Sequence, residues 1–181
     1  RNHGDKDLRD CIWGKKWMQG LEYIDGEKIG IIGGSYGGFM TMAAMTSFPD
    51  EFQAGVNFFG VTNWIRTLRS TPSFWASFRN ALFQEMGDPF TSDSVMLYQI
   101  SPLFHGKNVK HPVLVLQGAN DPRVLKVESD EMVETIKANN VPVEYIVFPD
   151  EGHGFVKREN EIKAYSQVLQ FLDKYLKGKE I

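Results

Sequence analysis

The residues from Lys28 to Gly38 read KIGIIGGSYGG, which places a strand, a tight turn and the start of a helix next to one another. The first part, Lys28 to Gly33, is short and apolar and predicts a buried strand. The second part, Gly34 to Phe48, begins with glycine and continues with small and apolar residues, which predicts a helix that packs tightly on a sheet. The two parts meet in a tight turn, and Ser35 lies in this turn.

Three further apolar segments predict additional strands, and helical patterns surround them. The predicted strands are Gln53 to Gly60, Pro112 to Gln117 and Val143 to Phe148. The predicted helices are Asp5 to Gly20, Val124 to Asn139 and Glu159 to Lys177. Apolar strands that alternate with helices predict an α/β fold, in which helices cover both faces of a parallel sheet.

The interval from Val61 to Gly106 breaks this alternation. It is rich in large apolar side chains, namely Trp64, Phe74, Trp75, Phe78, Phe83 and Met86. We predict a set of short helices and loops inserted over one end of the sheet. The C-terminal helix is more regular, with one apolar stripe made of Ile162, Tyr165, Val168, Leu169, Leu172 and Leu176.

The turn from Gly33 to Gly37 fits the pattern G-x-S-x-G between a strand and a helix, the context in which this pattern presents a nucleophilic serine. A sharp reversal forces the serine into a strained backbone conformation, and its neighbours two residues away should lack side chains so that strand and helix can approach. The alternative is a glycine-rich turn with an incidental serine. A phosphate-binding loop is excluded, because neither of the usual glycine patterns is present.

The start of the helix should also stabilise negative charge beside the serine. Backbone N–H groups at a helix N-terminus have no partner within the helix and carry a partial positive charge. The N–H of Tyr36 is therefore the expected first donor to an oxyanion.

A serine nucleophile needs a base, and in this fold the base follows an acid in the order Ser, acid, His. The chain contains His3, His105, His111 and His153. The order excludes His3, and the next two precede the third predicted strand. His153 lies between glycines in a loop directly after the fourth strand, so it is the predicted base, with an ordinary surface histidine as the alternative.

The acid should follow the third strand, where the chain reads QGANDPRV and supplies Asp121. Asp150 is the rival, but it lies three residues from His153 in the same loop and has little freedom to reach the imidazole. An ordinary turn at Asp121 is the other alternative. Ser35, Asp121 and His153 all fall at the carboxyl ends of parallel strands, where such sheets place their sites.

The sequence resembles the peptidase domain of the prolyl oligopeptidase family. The matching segments, in the family's order, are GGSYGGFM from Gly33, QGANDPRV from Gln117 and PDEGHGF from Pro149. GDKDLRDCIWGKKWM from Gly4 resembles the helix that precedes the nucleophile, and FFGVTNW with FQEMGDP, within 58–89, also matches. Arg123, two residues beyond the acid, is similar to the acylaminoacyl-peptidase and dipeptidyl-peptidase-like branches.

This resemblance implies an α/β-hydrolase fold and a Ser-Asp-His triad of Ser35, Asp121 and His153 that cleaves short peptides. It also implies that residues 1–181 are the C-terminal portion of the catalytic domain, without its N-terminal strands. The missing half would hold the second oxyanion donor, and a β-propeller domain would lie upstream. No cofactor or metal is expected, and a homo-oligomer is possible.

The specificity pocket is expected after the second strand. Phe59, Val61 and Trp64 should lie near the substrate side chain that precedes the scissile bond, and apolar walls suit an apolar residue there. Arg123 could bind a substrate carbonyl or carboxylate, or it could pair with an acid such as Asp88. Aromatic residues of the insertion could instead form the core of a lid, which applies above all to Phe74, Phe78 and Phe83.

Composition limits the remaining function classes. The 181 residues are 42% hydrophobic and carry a net charge of −3 with scattered Lys and Arg, which does not suggest a nucleic-acid surface or a membrane patch. The single cysteine excludes an intrachain disulfide. A serine peptidase is the favoured function. A carboxylesterase of the same fold and an inactive binding module are the alternatives, and the latter is disfavoured because every triad position is filled.

Overall fold

A computed structural model describes residues 2–178 and contains a four-stranded sheet in the order β1-β2-β3-β4. Neighbouring strands are parallel throughout. The strands are β1 (Ile31–Gly34), β2 (Gly55–Phe58), β3 (Val113–Gly118) and β4 (Val143–Phe148). The predicted parallel α/β sheet is therefore confirmed.

Seven α-helices accompany the sheet in residues 2–178. They are α1 (Lys6–Gln19), α2 (Tyr36–Ser47), α3 (Trp64–Arg69), α4 (Arg79–Met86), α5 (Asp93–Ile100), α6 (Lys126–Ala138) and α7 (Arg158–Lys177). Within the described part of the chain, no helix has the length and apolarity that crossing a membrane requires.

The two faces of the sheet form two separate cores. Alternate residues of β3 point to opposite faces, so Val113 and Val115 pack with one cluster and Leu114 and Leu116 with the other. The first cluster includes buried residues of α2 and α6, and the second includes Val168 and others from α7. Because helices cover both faces, every residue of β2 and β3 is buried.

The first strand begins later than the sequence predicts. Lys28 to Gly30 precede β1, and there the carbonyl of Ile29 accepts only one hydrogen bond across to Gln53, at 2.9 Å. Gly34, which was assigned to the helix, pairs with Phe58 as the last residue of β1. The helix cannot begin before the turn is complete, because Ser35 has a positive φ of 56°.

The apolar stripe of the C-terminal helix is divided between core and surface. Ala164, Val168 and Phe171 are buried, whereas Ile162, Tyr165 and Leu169 are 57–60% exposed. Tyr165 lies beside Phe58 at the β1 side of the sheet. Among the described residues, β1 is the last strand on this side of the sheet. No further strand covers the exposed residues of α7 there.

The inserted interval consists of short helices, as predicted. It contains α3, α4, α5 and two 3-10 helices, at Ser73–Phe78 and Pro102–Asn108. Trp64 and Met86 are buried, but Phe74 and Phe78 are 59% and 66% exposed. The two phenylalanines therefore do not form a lid core within residues 2–178.

Candidate active site

The backbone turn at Ser35 is strained, as the sequence predicts. Ser35 has φ 56° and ψ −115°, outside the conformations that non-glycine residues ordinarily adopt. A Cβ on Gly33 would lie 2.2 Å from the carbonyl oxygen of Gly37, so only glycine fits at Gly33. The space around Gly37 itself is open, with nothing within 4 Å of an added Cβ.

The second essential glycine of the turn is Gly38. A Cβ there would lie 2.4 Å from Asn57 Oδ1 and 2.6 Å from the Cα of Gly60. The start of α2 therefore packs directly on the end of β2. The sequence pattern predicts that glycine is needed two residues after the serine, at Gly37. The structure shows the close approach three residues after it, at Gly38.

The structure brings the three predicted catalytic side chains together. Ser35 Oγ lies 2.8 Å from His153 Nε2, and His153 Nδ1 lies 2.7 Å from Asp121 Oδ2. Residues at the ends of three different strands thus form one continuous chain of hydrogen bonds. The Asp121 side chain is fully buried and that of His153 is 10% exposed, so water has little access to their contact.

Asp121 accepts several hydrogen bonds besides its contact with the imidazole. Its Oδ1 accepts from the backbone N–H groups of Arg123 at 2.8 Å and Val124 at 3.0 Å. Its Oδ2 accepts from Gln117 Nε2 at 3.3 Å as well as contacting the imidazole. Gln117 is itself held by the hydroxyl of Ser129, which donates to Gln117 Oε1 at 2.7 Å. These partners orient the carboxylate toward His153.

The rival acid has different partners. Asp150 Oδ2 accepts a hydrogen bond from Lys157 Nζ, and its Oδ1 accepts one from Asn160 Nδ2 at 3.0 Å. The hydrogen bond from Lys157 and then that from Asn160 lower the pKa of Asp150 below its usual value. The Asp150 carboxylate is 43% exposed, and these bonds tie the loop of His153 to the residues at the start of α7. Asp121, in contrast, contacts the imidazole itself.

The loop that carries His153 packs closely on the sheet. A Cβ on Gly118, the last residue of β3, would lie 2.1 Å from the carbonyl oxygen of Gly152. The ring of Phe59 packs against the imidazole, with 4.8 Å between ring centroids, and Phe59 has a positive φ of 39°. Phe59, predicted as a pocket wall, therefore packs on the imidazole of His153.

Tyr36 belongs to a polar chain that the sequence analysis missed. Its hydroxyl donates to Asp7 Oδ2 at 2.5 Å and lies 2.6 Å from His3 Nδ1, while His3 Nε2 lies 2.8 Å from Glu85 Oε1. Burial, and next the hydrogen bond to Asp7, raise the pKa of the Tyr36 phenol. His3 and Asp7 are close in the sequence, but Tyr36 and Glu85 lie far from them, so no local pattern marks the group.

The backbone N–H of Tyr36 is available for a ligand. Tyr36 is the first residue of α2, and the first N–H groups of a helix have no partner within it. Since Tyr36 directly follows Ser35, its N–H stays the predicted first oxyanion donor.

The remaining predicted pocket residues lie around Tyr36 and the insertion. Val61 and Trp64 are each 5% exposed, and the Trp64 ring lies 6.0 Å from that of Tyr36. Arg123 lies over the ring of Trp75, 5.4 Å from its centroid. No ion pair joins Arg123 to Asp88 among residues 2–178.

The chain is similar to known proteins over nearly all of its length. The sequence model of the Prolyl oligopeptidase family matches residues 1–179. Dipeptidyl aminopeptidase BIII of Pseudoxanthomonas mexicana is 44% identical over 176 residues, which cover 96% of this chain and 25% of that protein. The acylamino-acid-releasing enzyme of Arabidopsis thaliana is 28% identical over 182 residues, covering 96% of this chain and 23% of that protein.

A solved structure shows the same fold. The puromycin-hydrolyzing peptidase of Mycobacterium tuberculosis superposes with a TM-score of 0.88 at 29% identity, covering 96% of this chain and 26% of that one. The chain spans about a quarter of the length of these relatives. The match over nearly every residue, together with the α/β-hydrolase architecture, confirms the resemblance, and the chain belongs to the prolyl oligopeptidase family of serine peptidases.

Proposed function

We propose that this chain hydrolyses short peptides through an acyl-enzyme formed on Ser35, with His153 as the base and Asp121 as its orienting acid. The observation that carries the proposal is the unbroken hydrogen-bond chain of 2.8 Å and 2.7 Å through the imidazole. Distances in this range are those of a nucleophile activated by an adjacent base.

The proposed reaction has two halves. His153 Nε2 accepts the proton of Ser35 Oγ as the oxygen attacks the peptide carbonyl, and Asp121 stabilises the imidazolium that forms. The imidazolium then donates its proton to the amine leaving group, which leaves an ester on Ser35. Water, deprotonated by the same imidazole, hydrolyses this ester and restores the serine.

The oxyanion formed in each half is proposed to bind the N–H of Tyr36. This donor is fixed at the start of α2, where the helix favours negative charge. A second donor is proposed to come from an upstream segment of the whole protein, because the relatives are about four times as long as this chain. A β-propeller domain is part of the same proposal.

The substrate is proposed to have an apolar residue before the scissile bond. The ring of Phe59 lies beside the His153 imidazole and that of Trp64 beside Tyr36, and Val61 belongs to the same apolar segment. Names of the relatives, which include a dipeptidyl aminopeptidase and an acylamino-acid-releasing enzyme, support short peptides as the substrate class.

The experiment replaces the nucleophile in the complete protein that contains this chain. Ser35→Ala should lower peptide turnover by about 10⁶-fold and abolish labelling by a fluorophosphonate. Ser47→Ala, at the exposed C-terminal end of the same helix, is the matched control and should leave both unchanged. Substantial activity in Ser35→Ala, or a label on another serine, would refute the proposal.

A further inference from the structure

Two consecutive residues at the start of α6, Glu128 and Ser129, are fully buried and reach two different parts of the site. The Ser129 hydroxyl bonds to Gln117, which donates to Asp121. Glu128 points instead to the segment that leads into α3. A buried glutamate is rare unless its charge is satisfied by partners, so its contacts indicate what it holds in place.

Among residues 2–178, the hydrogen bonds of the Glu128 side chain go to one short segment, Thr62 to Thr67. Its Oε2 accepts from the backbone N–H of Thr62 at 3.0 Å and of Asn63 at 2.9 Å. Its Oε1 accepts from the hydroxyl of Thr67 at 2.6 Å. The Thr62 hydroxyl returns a bond to the backbone carbonyl of Glu128 at 3.0 Å. Both carboxylate oxygens and the main chain therefore fix this segment on α6.

The segment held by Glu128 carries the proposed pocket wall. Val61 precedes Thr62 directly, and Trp64 follows Asn63 and packs against Tyr36. Removing the carboxylate would leave buried donors on this segment without partners, and such groups recover hydrogen bonds by moving toward water. A shift of the segment would move Val61 and Trp64 relative to Ser35 without touching the hydrogen bonds of the triad.

We propose that Glu128 is a positioning residue for substrate selection, which fixes the wall of the pocket, while its neighbour Ser129 supports the acid. The proposal rests on the proposed function of Ser35 and its partners. In this proposal, Glu128 affects which substrates are selected and Ser129 affects the rate of the reaction with all substrates.

The chain offers matched variants for the test. Glu128→Ala removes the contacts. Glu128→Gln keeps them, because its oxygen can face the two N–H groups while its amide donates to the Thr67 hydroxyl. Ser129→Ala releases Gln117 instead. Glu131→Gln weakens the partly exposed pair with Arg66, which also joins α3 to α6, and serves as the control.

The measurement compares kcat and KM for peptides that differ only in the residue before the scissile bond, and for a small ester that does not fill the pocket. Glu128→Ala should change the ratio of kcat/KM between a large and a small apolar residue by about 10-fold or more, chiefly through KM. The small ester should react within about 2-fold of the parent rate, since the hydrogen bonds of Ser35, His153 and Asp121 are untouched. Glu128→Gln and Glu131→Gln should keep the parent ratio.

Ser129→Ala should give the opposite pattern, a lower kcat for every substrate, including the ester, with the ratio unchanged. An equal loss on all substrates in Glu128→Ala, or an unchanged ratio, would overturn the proposal. If Glu128→Ala does not fold, Thr67→Val removes one of the same bonds, and an unchanged ratio in that variant would overturn it equally. Activity in Ser35→Ala would instead overturn the proposed function, so the two failures are distinct.

Discussion

Gly33 and Gly37 approach so closely that a Cβ on Gly33 would lie 2.2 Å from the Gly37 carbonyl oxygen. The reverse does not hold, because a Cβ on Gly37 meets nothing within 4 Å. The two glycines of the G-x-S-x-G pattern therefore have different roles. Gly33 must lack a side chain because the backbone of α2 packs against it. Gly37 contributes that backbone, and its own lack of a side chain is not required by this contact.

This difference predicts unequal effects of two alanine substitutions. Gly33→Ala must displace the backbone that follows Ser35, so it should lower the rate of fluorophosphonate labelling by about 100-fold or more, the scale expected for a small misplacement of reacting groups. Gly37→Ala should label within a few fold of the parent rate. Equal damage from both changes would show that the pattern acts through something other than this contact.

The identity of the acid predicts a second pair of unequal effects. Asp121→Asn keeps the shape of the side chain but should lower kcat by about 10⁴-fold, because the imidazole loses the carboxylate that orients it. Asp150→Asn loses only the exposed contacts to Lys157 and Asn160 and should have a small effect. Steady-state kinetics of the two variants, with circular dichroism to verify folding, decides between them. A larger loss in Asp150→Asn would reverse the assignment.

The bounds of a strand could be predicted where neighbouring residues in the sequence mark its ends, and not elsewhere. Val143–Phe148 is β4 with the predicted bounds, because Pro142 and Pro149 flank it and cannot extend the ladder through a backbone N–H. The start of β1 is not marked in this way. Ile29 is apolar like the residues after it, so the residue types do not show where β1 begins.

The same distinction applies to the candidate site. Ser35, Asp121 and His153 each follow an apolar strand, so the topology of a parallel sheet is enough to predict that they meet. Glu128 lies within a helix, where glutamate is ordinarily exposed, and only the fold shows that its carboxylate is buried. Its partners lie more than 60 positions away in the sequence, beyond the reach of any local pattern.

The burial of Glu128 predicts a dependence of stability on pH. Desolvation raises the pKa of this carboxyl, although hydrogen bonds from Thr67, Asn63 and Thr62 oppose the shift. The folded protein therefore binds this proton more tightly than the unfolded chain does. The associated stabilisation is complete below the ordinary glutamate pKa, about 4.3, and is lost as the pH rises through the raised value in the folded protein.

Glu128→Gln cannot ionise and should lack this dependence. The unfolding temperature of the variant, measured against the parent in the complete protein, should therefore improve in relative terms as the pH rises from about 4 toward neutrality. Glu131→Gln, which alters a partly exposed residue on the same helix, should show no comparable trend. A difference between Glu128→Gln and the parent that stays constant with pH would contradict a raised pKa at this position.

The outer edge of β1 predicts how the 181-residue chain behaves by itself. Among residues 2–178, β1 has a partner strand on one side only. Ile32 at this edge is 52% exposed and lines an apolar cleft of about 300 Å³ together with Tyr165 of α7. We propose that an upstream segment of the complete protein pairs with this edge and covers the exposed side of α7.

Without that segment, an apolar strand edge favours pairing with another copy. The isolated chain should therefore self-associate, and light scattering coupled to size exclusion should detect this at micromolar concentration. Ile32→Lys should reduce the association, because a charge on an edge strand opposes pairing. Val156→Lys is the matched control, since Val156 is 89% exposed but belongs to the loop before α7 and not to a strand. Adding the upstream segment should restore a uniform species and peptidase activity together. Activity should return because the same segment is proposed to supply the second oxyanion donor. The absence of one such donor costs about 10²- to 10³-fold in rate. A monomeric isolated chain with rapid peptide turnover would contradict both parts of this proposal.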